Sequence, residues 1–187
     1  MDNHDAIVIG TGQSGPALAR RLVAAGQKVA VIERKLFGGT CVNTGCTPTK
    51  ALVASAYTAY LARRASDYGV TIGGPIAVDM RAVKARKDAI VAPSRCGVER
   101  SLRNLEGCTV YAGHARFIAD KKVAVNGSDL GADRIFINVG GRASIPPIPG
   151  LDEVPYFTNS SMMDVDFGGP AREPPGKVTL RGNPCRP

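Results

Sequence analysis

The sequence contains no tryptophan, five tyrosines, five phenylalanines and two histidines in 187 residues. With so few aromatics, its basic residues have almost nothing to interleave with as base-stacking platforms. The Lys and Arg residues behind the net charge of +8 are spread along helical stretches rather than packed in one block. The charge therefore reads as solvated helix faces and a favourable potential for phosphate-bearing ligands, with no nucleic-acid partner expected. No apolar run approaches the length of about 18 residues that would span a bilayer. The start Met1-Asp2-Asn3-His4-Asp5 lacks the basic opening of a secretory signal. A cytoplasmic protein without a membrane partner is expected. Cysteines are few and odd in number, five, and none are paired as C-x-x-C. That excludes a disulfide framework and the thioredoxin-type motif, so any disulfide is expected to be redox-active. Cys96, Cys108 and His114 are too few and too irregularly spaced for a closed zinc site, and no metal is assigned. Cys96 and Cys108 read as core residues and Cys185 as a bystander.

What is present suits one globular domain: 44% of the residues are hydrophobic, and a chain of this size buries roughly 70% of its unfolded surface. Ala6-Ile7-Val8-Ile9 reads as a short buried strand. Gly10-Thr11-Gly12-Gln13-Ser14-Gly15 then opens a helix that runs to about Ala25, where Gly26 ends it. Residues 28–32 read as a second strand with Glu33 at its end, followed by a glycine-containing loop over 37–45. An Ala-rich helix is predicted from Pro48 to about Ser66. Between Asp79 and Leu105 the apolar spacing is helical but interrupted at Pro93, which predicts two helices or one bent hairpin. Four short strands are predicted at 109–112, 115–119, 122–125 and 134–139, with Asn126-Gly127 as a turn, forming a small antiparallel meander that leads into a last core strand. Nine of the twenty residues from 168 to 187 are Gly or Pro, so this tail is expected to be disordered.

The glycine motif has a physical rationale. Gly10 permits the tight turn out of the strand, Gly12 lets the backbone approach a pyrophosphate, and Gly15 allows close helix–strand packing. The helix N-terminus favours the anion through its free amides and dipole. Glu33, eighteen residues past Gly15, is placed to accept hydrogen bonds from a ribose. On its own the motif points to a dinucleotide without separating FAD from NAD.

The second motif follows the second strand: Gly38-Gly39-Thr40-Cys41-Val42-Asn43-Thr44-Gly45-Cys46-Thr47-Pro48-Thr49-Lys50. It closely resembles the redox-active segment of the pyridine nucleotide-disulfide oxidoreductases, the flavoprotein class that includes dihydrolipoyl dehydrogenase, glutathione reductase and mercuric reductase. The resemblance implies that the glycine loop and Glu33 hold the ADP half of FAD and that Gly39, Thr40 and Lys50 also lie at the cofactor. It further implies that Cys41 and Cys46 form a disulfide beside the flavin, with Cys41 as the interchange thiol and Cys46 facing the ring as a thiolate. Gly113-His114-Ala115-Arg116-Phe117 resembles the family's G-x-A-x-F strand, which assigns Gly113 and Ala115 to the cofactor. Ile137-Asn138-Val139-Gly140 resembles the family's second flavin signature, with Val139 where Thr is typical, and this adds Gly140.

The implied fold is α/β, a Rossmann-like FAD-binding domain with a parallel sheet, a helical excursion and an antiparallel meander. Its domain is 1–167, with the tail at 168–187. The implied activity passes electrons from NAD(P)H through FAD to the Cys41–Cys46 disulfide, and on to a thiol-bound metal ion or a small disulfide substrate. The run from Thr47 to Ala56 resembles mercuric reductase-like proteins, with dihydrolipoyl dehydrogenase and glutathione reductase as alternatives. The family also implies a homodimer, a second glycine loop for NAD(P)H and a C-terminal interface domain. Motifs for the last two are not found in these 187 residues, and the resemblance stops at Asp166-Phe167. A truncated or frameshifted reading frame is the corresponding expectation, with a catalytically incompetent FAD-binding module as the alternative to an enzyme.

Overall fold

The computed structural model describes residues 1–167 and Cys185. By its internal contacts the chain divides into two units. One contains residues 1–43, 93–142 and Cys185, and the other residues 44–92 and 143–167.

The first unit is built on a six-stranded sheet of order β3-β2-β1-β6-β5-β4. Its strands are β1 (Asp2–Ile9), β2 (Val29–Glu33), β3 (Cys108–Ala112), β4 (Arg116–Ala119), β5 (Lys122–Val125) and β6 (Ser128–Ile137). The apolar runs of β1 and β2 alternate between faces, as a pleated strand requires. Ile7, Ile9, Ala30 and Ile32 pack with Val123, Val125 and Leu130 of the β5–β6 hairpin. Val8, Val29 and Val31 pack with Ala19 of helix α1 (Ser14–Ala24), with Phe37 and with Leu102. Ile7, Val31 and Leu102 are wholly buried, each contributing about 1.5–3 kcal/mol of hydrophobic stabilisation.

β1 begins four residues earlier than its apolar run, because Asp2, Asn3 and His4 pair with Leu130, Gly131 and Ala132 of β6. β6 is correspondingly ten residues long. The predicted Asn126-Gly127 turn is present, with both residues at positive φ and Val125 opposite Ser128. The sequence reading places 109–112 in the meander, but β3 instead runs parallel to β2, with Val29 opposite Cys108 and Glu33 opposite Ala112. The long connection through residues 34–107 supplies the crossover that a parallel neighbour needs. The antiparallel meander is β4-β5-β6 alone, and β4, the last strand in the sheet order, carries a register irregularity between Phe117 and Ala119.

Two helical expectations are corrected. Residues 37–45 are not all loop, since Gly39–Asn43 form a short helix, α2. The predicted break at Pro93 is absent: α4 runs unbroken over Met80–Arg103. An interior proline costs about 3 kcal/mol, and burial of Val91 on one side of it and Leu102 on the other outweighs that. In the second unit, α3 (Cys46–Arg63) is joined to α4 by Arg86, whose Nη1 donates to the Ala51 carbonyl at 2.9 Å and to Ser55 Oγ at 3.3 Å. Burial opposes ionisation of Asp88, yet hydrogen bonds from Lys84 and Lys87 outweigh it and hold the carboxyl below its usual range. Among the described residues no helix is long and apolar enough to cross a membrane. The expected disorder of 168–187 lies outside the described residues apart from Cys185.

His4 gives this sheet a pH dependence. Its side chain is buried on β1, edge-on to Tyr111 with ring centroids 6.2 Å apart, and its Nδ1 has no hydrogen-bond partner among the described residues. Burial, then the neighbouring Lys28 charge, lowers its pKa below 6.5, against opposing contributions from Asp2 and Asp5. The folded chain thus binds fewer protons at His4 than the unfolded chain, so stability is lost as pH falls below about 6.5. Thermal melts between about pH 7.5 and pH 5 are expected to show a falling Tm, with a shallower fall in His4→Phe. Parallel falls in the two proteins would reject His4 as the cause.

Candidate functional site

In the sheet order, the chain leaves β1 toward β2 and β3 on one side, whereas β6 lies on the other. Loops at the carboxyl ends of β1 and β6 therefore diverge, and such a switch point opens a ligand crevice in α/β sheets. The glycine loop enters it directly from Ile9. Gly10 has φ +104°, its N–H donates to the Ile32 carbonyl at 2.7 Å, and a Cβ there would collide with the Asn138 carbonyl oxygen. At Gly15 a Cβ would strike the Gly10 carbonyl oxygen and come within 2.9 Å of Asn138 Nδ2. Gly12 differs, because a Cβ there would meet Asn138 Nδ2 at an ordinary 3.4 Å. The chain's own packing does not demand glycine at position 12, in keeping with space left for a ligand. No side chain caps the amides at the start of α1, and its first turn has no acidic residue.

Glu33 stands at the end of β2, and its carboxylate is already used by the protein. Oε2 accepts from the Thr11 N–H at 3.0 Å and the Thr11 hydroxyl at 2.7 Å, while Oε1 accepts from the Lys35 N–H at 2.9 Å. A carboxylate offers about four acceptor sites, and with three taken about one remains for a ribose. Thr11 Oγ1 also accepts from the Gly38 N–H at 3.2 Å. This bond ties the cysteine-bearing segment to the glycine loop, and Gly39 approaches Gly12 so closely that a Cβ on Gly39 would lie 2.7 Å from Gly12 Cα.

Cys41 lies half-buried within α2, between exposed Thr40 and buried Val42. Asn43 closes this short helix, with Nδ2 donating to the carbonyls of Phe37 and Gly39, both at 2.9 Å. Its Oδ1 accepts from Arg95 Nε at 2.7 Å. In the second unit, Cys46 is the exposed first residue of α3, Thr49 N–H donates to the Gly45 carbonyl at 3.0 Å, Pro48 and Ala51 are buried, and Lys50 is exposed.

The remaining predicted residues are placed less tightly. Gly113 follows β3 and donates to the Glu33 carbonyl at 2.9 Å. A Cβ on Gly113 would collide with Asn126, whose Nδ2 binds the Ala112 carbonyl at 2.8 Å, so the β5–β6 turn accounts for this glycine. Ala115 packs against the core, and His114 is exposed. Gly140 is exposed at φ +67° with open space around it.

Sequence reasoning missed four residues: Thr11, Asn43, Arg95 and Asn138. Asn138 Oδ1 accepts from Ser14 Oγ at 2.8 Å and its Nδ2 donates to the Gly10 carbonyl at 3.3 Å, linking the β6 end to the glycine loop. Thr11, Asn43 and Asn138 sit inside the quoted motifs, but the roles there went to other residues.

The cysteine expectations need one correction. Cys185, read as a bystander, and Cys96, read as a core residue, form a disulfide with each other, while Cys41 and Cys46 stand as thiols. The bridge joins positions 89 apart in sequence, a proximity that composition cannot reveal. Cys108 is half-buried and burial pushes its thiol pKa up, in line with a packing role.

A six-stranded α/β sheet with a glycine loop at its switch point has the Rossmann-like fold. The chain belongs to the pyridine nucleotide-disulphide oxidoreductase family, whose model matches residues 4–174, so the likeness runs past Phe167, where the sequence reading ends it. It is 33% identical over 181 residues to a mercuric reductase of Bacillus cereus, covering 97% of this chain and 28% of the relative. It is 34% identical over 150 residues to a dihydrolipoyl dehydrogenase of Acholeplasma laidlawii, covering 80% of this chain and 44% of the relative. Among solved structures, the Cu(II) complex of the HOCl-induced flavoprotein disulfide reductase RclA from Escherichia coli superposes with a TM-score of 0.74 at 29% identity, over 89% of this chain and 35% of that one. The chain thus spans 28–44% of the length of these proteins.

Proposed function

We propose that residues 1–167 hold the FAD-binding and redox-disulfide portion of an NAD(P)H-dependent flavoprotein oxidoreductase. One observation carries the reading: Thr11 joins the glycine loop, Glu33 and the Cys41 segment through hydrogen bonds of 2.7–3.2 Å. A cradle for a dinucleotide and a candidate redox cysteine are thereby built as one piece.

The residues fit FAD. Gly12 leaves room for a pyrophosphate, the start of α1 carries no side-chain cap to compete with it, and Glu33 Oε1 keeps acceptor capacity for a ribose. Gly39, Thr40, Gly113, Ala115 and Gly140 are proposed to line the remainder, with Lys50 near the reacting end. When bound, FAD supplies two-electron transfer from NAD(P)H. Two electrons and two protons convert a Cys41–Cys46 disulfide into two thiols. The Cys41 thiolate then attacks one sulfur of a substrate disulfide, forming a mixed disulfide and releasing the first product thiol. Attack of the Cys46 thiolate on Cys41 Sγ restores the internal disulfide and releases the second. A thiol-bound metal ion is the other substrate class, supported by the 33% identity to a mercuric reductase. A homodimer is proposed for the longer protein.

A second reading has its own support. The glycine loop and Glu33 would serve an FAD-binding module without turnover equally well. An absorption spectrum of the purified chain, reconstituted with FAD, desalted and then reduced by two electrons per flavin, separates the two. Retained flavin with a new long-wavelength band is expected for the oxidoreductase centre. Retained flavin without the band selects the bare module, and loss of all flavin rejects FAD binding by this chain.

A further inference from the structure

The segment carrying Cys41 is poorly equipped to hold its own shape. A helix of five residues cannot offset the cost of nucleation, and α2 is entered through Gly38 at φ +93° and Gly39 at φ +60°. Asn43 compensates by bonding the carbonyls of Phe37 and Gly39. That arrangement works in only one orientation of the amide, since a flipped Asn43 would set its oxygen against two carbonyl oxygens. Arg95 fixes the orientation, because a guanidinium has donors and no acceptor, and its Nε meets Asn43 Oδ1 at 2.7 Å.

Arg95 is itself held on a 24-residue helix. Four and eight residues further along the same face are Glu99 and Arg103. Buried Glu99 accepts from Arg103 Nε at 2.9 Å, and the Arg103 guanidinium lies 5.9 Å from the Phe37 ring. α4 thus grips both ends of the 37–43 segment, Phe37 through Arg103 and Asn43 through Arg95.

From this we infer that Arg95 is a positioning residue for Cys41, acting through the Asn43 amide to hold the cysteine segment against the glycine loop. The inference rests on the proposed role of Cys41 as the interchange thiol. It predicts that Cys41 reactivity depends on Arg95 and Asn43 jointly, as one device.

The test is site-resolved alkylation of the reduced full chain by iodoacetamide, read by peptide mass spectrometry. Half-buried Cys108 reports general loosening, and exposed Cys46 reports reagent access. Arg95→Ala and Asn43→Ala are each expected to raise the Cys41 rate by about tenfold, the scale set by one charge-assisted hydrogen bond. Cys108 and Cys46 rates are expected to hold. The double variant is expected to match either single. An unchanged Cys41 rate, a parallel rise at Cys108, or multiplied effects in the double variant would each overturn the inference. If Arg95→Ala does not fold, Arg95→Lys keeps the charge and stem but cannot reproduce the Nε geometry, and the same expectations apply.

Titrating the oxidised wild-type chain against glutathione separates this inference from the function it rests on. Absence of a Cys41–Cys46 disulfide overturns the oxidoreductase reading and leaves Arg95 to be judged by alkylation. Its presence, with an Arg95→Ala equilibrium shifted about tenfold toward the dithiol, supports both, and its presence with no shift overturns the inference alone.

Discussion

Replacing Gly15 with valine is expected to lower the melting temperature of the chain by roughly 6–12 °C, the equivalent of about 3 kcal/mol for a protein of this size. The effect is steric. α1 crosses the start of the glycine loop at backbone distance, and a Cβ at position 15 would meet the Gly10 carbonyl oxygen and Asn138 Nδ2. Neither neighbour can retreat cheaply. Gly10 is held by its N–H on the Ile32 carbonyl, and Asn138 by its backbone N–H on Ile9 and its side chain on Ser14. Relief would have to lift α1 from the sheet, uncovering Ala19 and its neighbours over Val8 and Val31. Gly12→Ala is the natural comparison, since the same added atom meets only an ordinary contact there. Gly12→Ala should leave the melt within a degree or two of wild type while weakening FAD retention. Calorimetry or circular dichroism melts check both, and equal melting of Gly15→Val and wild type would show that the helix does not approach the loop so closely.

Glu33→Ala is expected to reduce affinity for FAD, and for ADP as a fragment of it, by about a hundredfold. That is the consequence of losing one ribose hydrogen bond and the anchor on Thr11, at about 1.5 kcal/mol each. Glu33 has two tasks, and they can be separated. It anchors Thr11 through two hydrogen bonds to Oε2, and its Oε1 is the acceptor available to a ribose. Thr11→Val removes the hydroxyl link to Glu33 and Gly38 but leaves the carboxylate in place. Its affinity should fall by less, roughly tenfold. Calorimetric titration with ADP reads both without requiring turnover. Equal losses in the two variants would assign the whole effect to loop anchoring and remove the ribose contact.

The parts of this fold legible in the sequence were those set by short-range rules. Apolar runs flanked by glycines marked β1 and β2, and Asn126-Gly127 marked its turn, because only a few residue types tolerate positive φ there. The glycine spacing marked the crevice for the same reason. Longer-range pairing was not legible. β3 reads locally like β4 and β5, and its parallel place beside β2 follows from the crossover through α2, α3 and α4. Pro93 signals a break by local rules, but burial of Val91 and Leu102 decides otherwise. Asn43 and Arg95 lie 52 positions apart, so the device that shapes α2 has no local signature. The Cys96–Cys185 bridge is hidden for the same reason.

The strand that closes the sheet order has a consequence for life at high concentration. All four residues of β4 are exposed, Phe117 and Ile118 among them. A terminal strand of this kind is a template on which another molecule's strand can add. Here the template is spoiled twice: the register slips between Phe117 and Ala119, and Arg116 sets a charge at the strand's entry. A continuous ladder cannot be copied from an interrupted one, so the irregularity that weakens β4 within the sheet also guards the protein against intermolecular stacking.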